Sequence, residues 1–287
     1  MPFSVFLLVL TGLFARHLWL LFAGALENDL NSYIVLIPLV SAYFLYIDRS
    51  AAAPRHGRSI GWAALPLIIG AALLAALPAG VIRPGSENDR LGMIVASFVC
   101  FIWAGGFAFL GKRWMTAAGF PLWFLLFLIP LPDQAVDWLE TGLRIASAEA
   151  ANVFFMLTAT PALKTGTVFQ LPGITIEVAQ ECSGIRSTWV LLITSIVAAK
   201  LFLDRPRFRL ALVAAVIPLG ILRNGFRIMV IALLCVHVDP DMIHSIIHRR
   251  GGPIFFALSL IPLVGILWML RRIETRPNRL PSADATT

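Results

Sequence analysis

Apolar runs of about twenty residues recur along this 287-residue chain, and they restrict its possible folds more than any motif does. A helix needs about 20 apolar residues to cross ~30 Å of hydrocarbon, where its backbone must satisfy its own hydrogen bonds. Eight runs meet or approach that length: residues 3–25, 31–47, 60–82, 91–110, 114–131, 184–203, 210–234 and 252–270. The expected fold is therefore an all-α polytopic membrane protein with about eight transmembrane helices. A content of 59% hydrophobic and 14% charged residues lies outside the ordinary soluble range. No hydrophilic stretch is long enough for a separate soluble domain, so residues 1–272 read as one transmembrane domain. Residues 273–287, rich in Pro, Ser, Ala and Thr, read as a disordered cytoplasmic tail. The first run lacks a small-residue cleavage signature and reads as a retained helix.

The net charge of +7 does not form a face for nucleic acid, because the basic residues collect in short connections between the apolar runs. Counting Lys and Arg there gives thirteen on one side, in the groups Arg49–Arg58, Lys112–Arg113, Lys200–Arg209 and Arg271–Arg279. The other side holds six: Arg83, Arg90, Arg144, Lys164, Arg249 and Arg250. The richer side should be cytoplasmic, with both termini inside, and the chain is expected in the plasma (inner) membrane.

That topology requires a choice at residues 134–159, a helical stretch interrupted by Asp137, Glu140, Arg144 and Glu149. If it crossed the bilayer, the Arg205–Arg209 cluster would lie outside. It is expected instead as an amphipathic helix on the outer surface, with Trp138, Leu139, Leu143 and Ile145 toward lipid or protein and a bend at Pro130 and Pro132. Residues 168–178 alternate on both sides of Pro172-Gly173, the signature of a small extracytoplasmic β-hairpin. Such a hairpin either serves only the structure or offers an edge to an extended peptide.

Three groups of residues suggest chemistry. Glu181-Cys-Ser-Gly-Ile-Arg186 opens the sixth run. A thiol is nucleophilic as its thiolate, which cations and a helix amino terminus favour, and Cys182 has Arg186 one turn on if the helix has already begun. Ser183 and Gly184 leave room for a substrate backbone. Arg223 and Arg227, four apart on one helix face, lie inside an apolar run with Asn224 and Gly225 between them, where the helix could loosen. An intramembrane arginine is by default a functional hypothesis, and a guanidinium there could hold a thiolate, a carboxylate or an oxyanion. His244 and His248, also four apart, have no acidic third ligand at a recognised offset, so no metal site is expected. A proton-carrier role fits better, and spacing alone does not select among these two and His237, which precedes them in the same outer connection. Cys100 and Cys235 sit within apolar runs and read as buried small residues. No cofactor is implied.

In this order the motifs resemble the exosortase/archaeosortase family of membrane-embedded cysteine transpeptidases. The resemblance rests on Ile129-Pro-Leu-Pro132, Gly166 with Leu171-Pro-Gly173, Glu181-Cys-Ser-Gly-Ile-Arg186, Asn224-Gly-Phe-Arg227-Ile228 and His248-Arg-Arg-Gly-Gly252. It implies Cys182 as nucleophile with Arg227 and His248 as its catalytic partners, and Arg186, Arg223, Asn224, His244, Glu181, Ser183 and Gly184 as second-tier candidates. In the archaeal branch an arginine often replaces the histidine, so His248 suggests the bacterial branch. The implied substrates are exported proteins with a carboxy-terminal signal made of a short Pro-containing motif, a transmembrane helix and a basic end. Competing readings are a transporter binding an anionic solute through Arg223 and Arg227, a lipid-dependent thiol acyltransferase, and a non-catalytic assembly protein for polymer export.

Overall fold

The structure is a computed structural model that describes residues 2–28, 30–47, 59–117, 119–180, 183–239 and 252–275. Its contacts divide into two compact units, Met1–Asp137 and Trp138–Thr287.

The first unit holds α1 (Pro2–Leu13), α2 (Ala15–Glu27), α3 (Leu36–Ile47), α4 (Ile60–Ala76), α5 (Glu87–Gly105), α6 (Lys112–Ala117) and α7 (Gly119–Phe124). α5 is the central rod. Ser86 caps it by accepting from the Asp89 N–H, and Glu87 and Asp89 complement the positive end of its dipole. Its apolar face buries Ile94, Val95, Phe98, Val99 and Ile102, and α4 packs along it with Gly70 against Phe101 and Cys100. The expected first span is broken: α1 and α2 meet at a 70° bend around Phe14, whose ring is seated against Phe98 and Phe101. The expected fifth span is broken too, into α6, α7 and a 3-10 turn at Leu125–Leu128.

The second unit contains most of α8 (Asp133–Leu157), which begins in the first. Strands β1 (Leu163–Thr165), β2 (Val168–Leu171) and β3 (Ile174–Glu177) follow, then α9 (Ile185–Phe202), α10 (Pro206–Ala214), α11 (Val216–His237) and α12 (Gly252–Thr275). The hairpin is present, with Leu171 paired to Ile174 across Pro172-Gly173 and Gly173 at φ 82°. A third strand, β1, pairs with β2 on its other side. Alternation sends Phe169, Leu171 and Ile176 inward, onto Ala151 and Phe155 of α8 and Met229 and Ala232 of α11. Cys235 is buried in the same cluster, whereas Cys100 is half-buried. A second core joins α9, α10, α11 and α12 through Leu191, Leu212, Val216 and Leu263. The side-chain carboxylate of Glu274 accepts from the backbone N–H groups of Asp204 (3.0 Å) and Arg205 (2.6 Å), capping α10 from another helix.

Among the described residues, four helices are long and apolar enough to cross a membrane: Glu87–Leu110, Ile185–Phe202, Pro206–His237 and Gly252–Thr275. Counting each bent pair as one span raises this to six, and Ser32–Ile47 and Ile60–Ala76 are shorter apolar helices. The chain is thus a helical, multi-pass membrane protein with a small sheet, with four to six candidate spans by length and composition among the described residues. α12 continues to Thr275, three residues into the expected disordered tail, whose remaining residues lie outside those described.

Candidate active site

The segment that follows Cys182 is held by the middle of α11. α9 starts at Ile185, and its N-cap is Gly184, at φ 74° in the left-handed region that glycine enters without strain. The expected one-turn relation between Cys182 and Arg186 assumed a helix already under way at the cysteine. Because the cap falls at Gly184, that helical spacing does not apply, and Arg186 lies on the exposed face of the first turn.

Arg223 is buried, with 8% of its surface exposed, and its Nη2 donates to the Gly184 carbonyl and to Thr188 Oγ1, both at 3.2 Å. The Gly184 carbonyl also receives the Thr188 N–H (3.0 Å), the Thr188 hydroxyl (2.9 Å) and the Ser187 hydroxyl (3.2 Å). One oxygen thus gathers donors from its own helix and from α11. Asn224 is buried beside it, and a Cβ built on Gly184 would lie 2.9 Å from the Asn224 side-chain Cγ and Oδ1. Ser183 is buried too, its N–H donating to the Gln180 carbonyl at 3.0 Å.

Two glycines allow this approach. A Cβ on Gly220 would fall 2.7 Å from Thr188 Oγ1, so α9 and α11 touch there. A Cβ on Gly225 would fall 2.6 Å from Ala150 Cβ and 2.9 Å from the Ala151 backbone nitrogen, so α8 crosses α11 one residue beyond Asn224. α11 runs unbroken through Asn224-Gly225, which permit a close crossing and not the loosening expected of them. Arg227 is half-buried one turn beyond Arg223.

The structure therefore brings together Ser183, Gly184, Arg223 and Asn224, with Arg227 next along α11. It adds Thr188, which sequence reasoning passed over although it stands four residues after Gly184. Arg223 Nη1 is buried without a hydrogen-bond acceptor among the described residues, an expensive condition for a guanidinium and one that functional sites retain. Cys182, Glu181, His244 and His248 lie outside the described residues. No cluster of three or more His, Cys, Asp or Glu able to hold a metal occurs among the described residues.

Membrane-length helices in the chain, and in its second unit a buried arginine clamped to a helix cap, define a multi-pass membrane protein with a polar group held within an apolar unit. The family model for the transmembrane exosortases (Exosortase_EpsH) matches residues 25–265, and the chain belongs to that family. Membership places it among membrane-embedded sorting transpeptidases in general. No match was found among curated proteins or among solved structures.

Proposed function

We propose that this exosortase cleaves the carboxy-terminal sorting signals of exported proteins at the extracytoplasmic face and transfers them to an acceptor through a thioester on Cys182. The supporting observation is that buried Arg223 holds the backbone carbonyl of Gly184, two residues after the cysteine, with buried Asn224 packed close against it. A nucleophile must be held in a near-attack geometry, and a chain pinned to the α9 cap supplies a rigid footing for it.

In this reading the Cys182 thiolate attacks a peptide carbonyl, forming a carbon–sulfur bond. Arg227 stabilises the oxyanion, and His248 gives a proton to the amine as the carbon–nitrogen bond breaks. An acceptor nucleophile then attacks the thioester, displaces the thiolate and returns a proton to His248. Arg223 acts as a positioning residue through Gly184 and Thr188. The protein spans the inner membrane with both termini in the cytoplasm.

Co-expression with a protein bearing a tail signal tests this. Cys182→Ala should abolish processing while leaving the protein inserted, and mass spectrometry should find the acyl adduct on Cys182 in the wild type. Full processing by Cys182→Ala rejects the nucleophile. Solute flux that survives the substitution would favour transport instead.

A further inference from the structure

The first unit carries two adjoining cavities that the proposed peptide chemistry does not use. The larger, about 660 Å³, is an apolar cleft between α1, α4 and α5, lined by Leu10, Phe14, Leu74, Leu77, Ile94 and Phe101 among others. The smaller, about 370 Å³, carries the charged side chains Arg16, Glu87 and Arg90 with His17 and Asn88, beside apolar walls of Leu20, Leu91 and Ile94. His17, Arg90 and Ile94 line both, so the two form one path with an apolar body and a basic mouth.

The broken first helix makes that mouth. Phe14, with ring centroids 5.3 Å from Phe98 and 6.1 Å from Phe101, anchors the 70° bend between α1 and α2. Arg16 and His17 follow the bend directly and face the first turn of α5, where Arg90 lies. A straight helix would have carried two polar side chains onward through the apolar run. Arg16 and Arg90 are exposed, and the acid of this mouth, Glu87, is 3.5 Å from the Arg90 guanidinium, leaving a net positive charge. Both volumes fall in the range of small-molecule sites, ~300–1,000 Å³.

We propose that this path binds one anionic phospholipid, with an acyl chain in the cleft and the phosphodiester at Arg16, His17 and Arg90. A guanidinium recognises a phosphate by paired, charge-assisted hydrogen bonds, which a zwitterionic headgroup offsets with its own cation. An apolar solute would fill the cleft and leave the two arginines without use. A free phosphate would use the arginines and gain nothing from Leu74, Leu77 and Phe101.

Native mass spectrometry of the full chain, titrated with dioleoyl phosphatidylglycerol, dioleoyl phosphatidylcholine or inorganic phosphate, tests the site. The expected result is retention of one phosphatidylglycerol in preference to phosphatidylcholine. That preference should fall roughly five-fold for each of Arg16→Gln and Arg90→Gln. Leu77→Trp, which occupies the apolar cleft, should lower retention of both lipids. On the same samples phosphatidylglycerol should raise the Tm of wild type more than that of the arginine variants, which separates lost binding from lost folding. Equal retention of the two lipids means an annular lipid only and overturns the proposal. A preference unchanged by both arginine substitutions, unchanged retention in Leu77→Trp, or phosphate binding as tightly as the lipid overturns it as well.

Discussion

The Nη2 of Arg223 lies 3.2 Å from the carbonyl oxygen of Gly184, joining the middle of one membrane helix to the cap of another, thirty-nine residues apart in sequence. Hydrogen bonds from a charged donor contribute about 1.5–3 kcal/mol. A lysine ammonium could donate to both acceptors, but its stem is one atom shorter than the reach of Nη2 and its charge is more strongly hydrated, so it is costlier to bury at Gly184. Arg223→Lys is therefore expected to insert normally and to lose about ten-fold or more in kcat/KM for signal processing. If Arg223 acts by positioning, the loss should fall on kcat more than on KM, and Thr188→Val should shift the same parameter in the same direction.

Gly184 offers a sharper test of the same clamp. At φ 74° any other residue is strained by roughly 1–2 kcal/mol, and the added methyl would press on the Asn224 carboxamide at 2.9 Å. Gly184→Ala should lower both Tm and activity. Pairing it with Asn224→Ala removes the collision but not the strain, so a double-mutant cycle on Tm should show partial recovery, with a coupling of about 0.5 kcal/mol or more.

The features readable in the sequence were local ones. Apolar runs marked every membrane-length helix, and alternation around Pro172-Gly173 marked the hairpin. β1 escaped because Leu163-Lys-Thr165 is too short to show a period. The bend at Phe14 escaped because Gly12, the residue before it that most disfavours a helix, is tolerated in many helices, and the ring contact that accompanies the bend lies on α5 about ninety residues later. At the site, the cysteine motif and the Arg223–Arg227 spacing were visible. What Arg223 grips was not, since Gly184 reaches it only through the packing of α9 on α11.

Gly225 and Gly142 give a matched pair of substitutions. Both are helical glycines, so alanine should favour either helix by about 0.5–1 kcal/mol. Around Gly142 nothing lies within 4 Å of a new Cβ, whereas at Gly225 it would meet Ala150 Cβ at 2.6 Å and the Ala151 backbone at 2.9 Å. Overpacking of that kind costs about 1–3 kcal/mol. Gly142→Ala should hold or raise Tm and leave processing intact. Gly225→Ala should lower Tm and processing together, because the α8–α11 crossing adjoins Asn224.

The last expectation concerns which side of the membrane α8 touches. Glu140 accepts from the Gln180 side chain at 2.7 Å, and Glu149 is paired with Lys164. These two acids are nine residues apart, or ~13 Å along a helix axis. Each engages the same polar connection, residues 158–184. A helix crossing the bilayer would draw that connection down through much of the hydrocarbon, and each buried backbone or charged group there is costly. Trp138, Leu139 and Ile145 are exposed on α8, an apolar set suited to the headgroup boundary. The arrangement supports α8 lying along the outer surface. In a chain whose native cysteines are replaced by serine, Glu140→Cys and Glu149→Cys should both react with a membrane-impermeant maleimide added to spheroplasts, as should Glu87→Cys, while Asp204→Cys should react only after lysis. Labelling of Asp204→Cys from outside, with Glu149→Cys protected in intact spheroplasts, would mean that α8 crosses, and the orientation of α9 to α12 would invert with it.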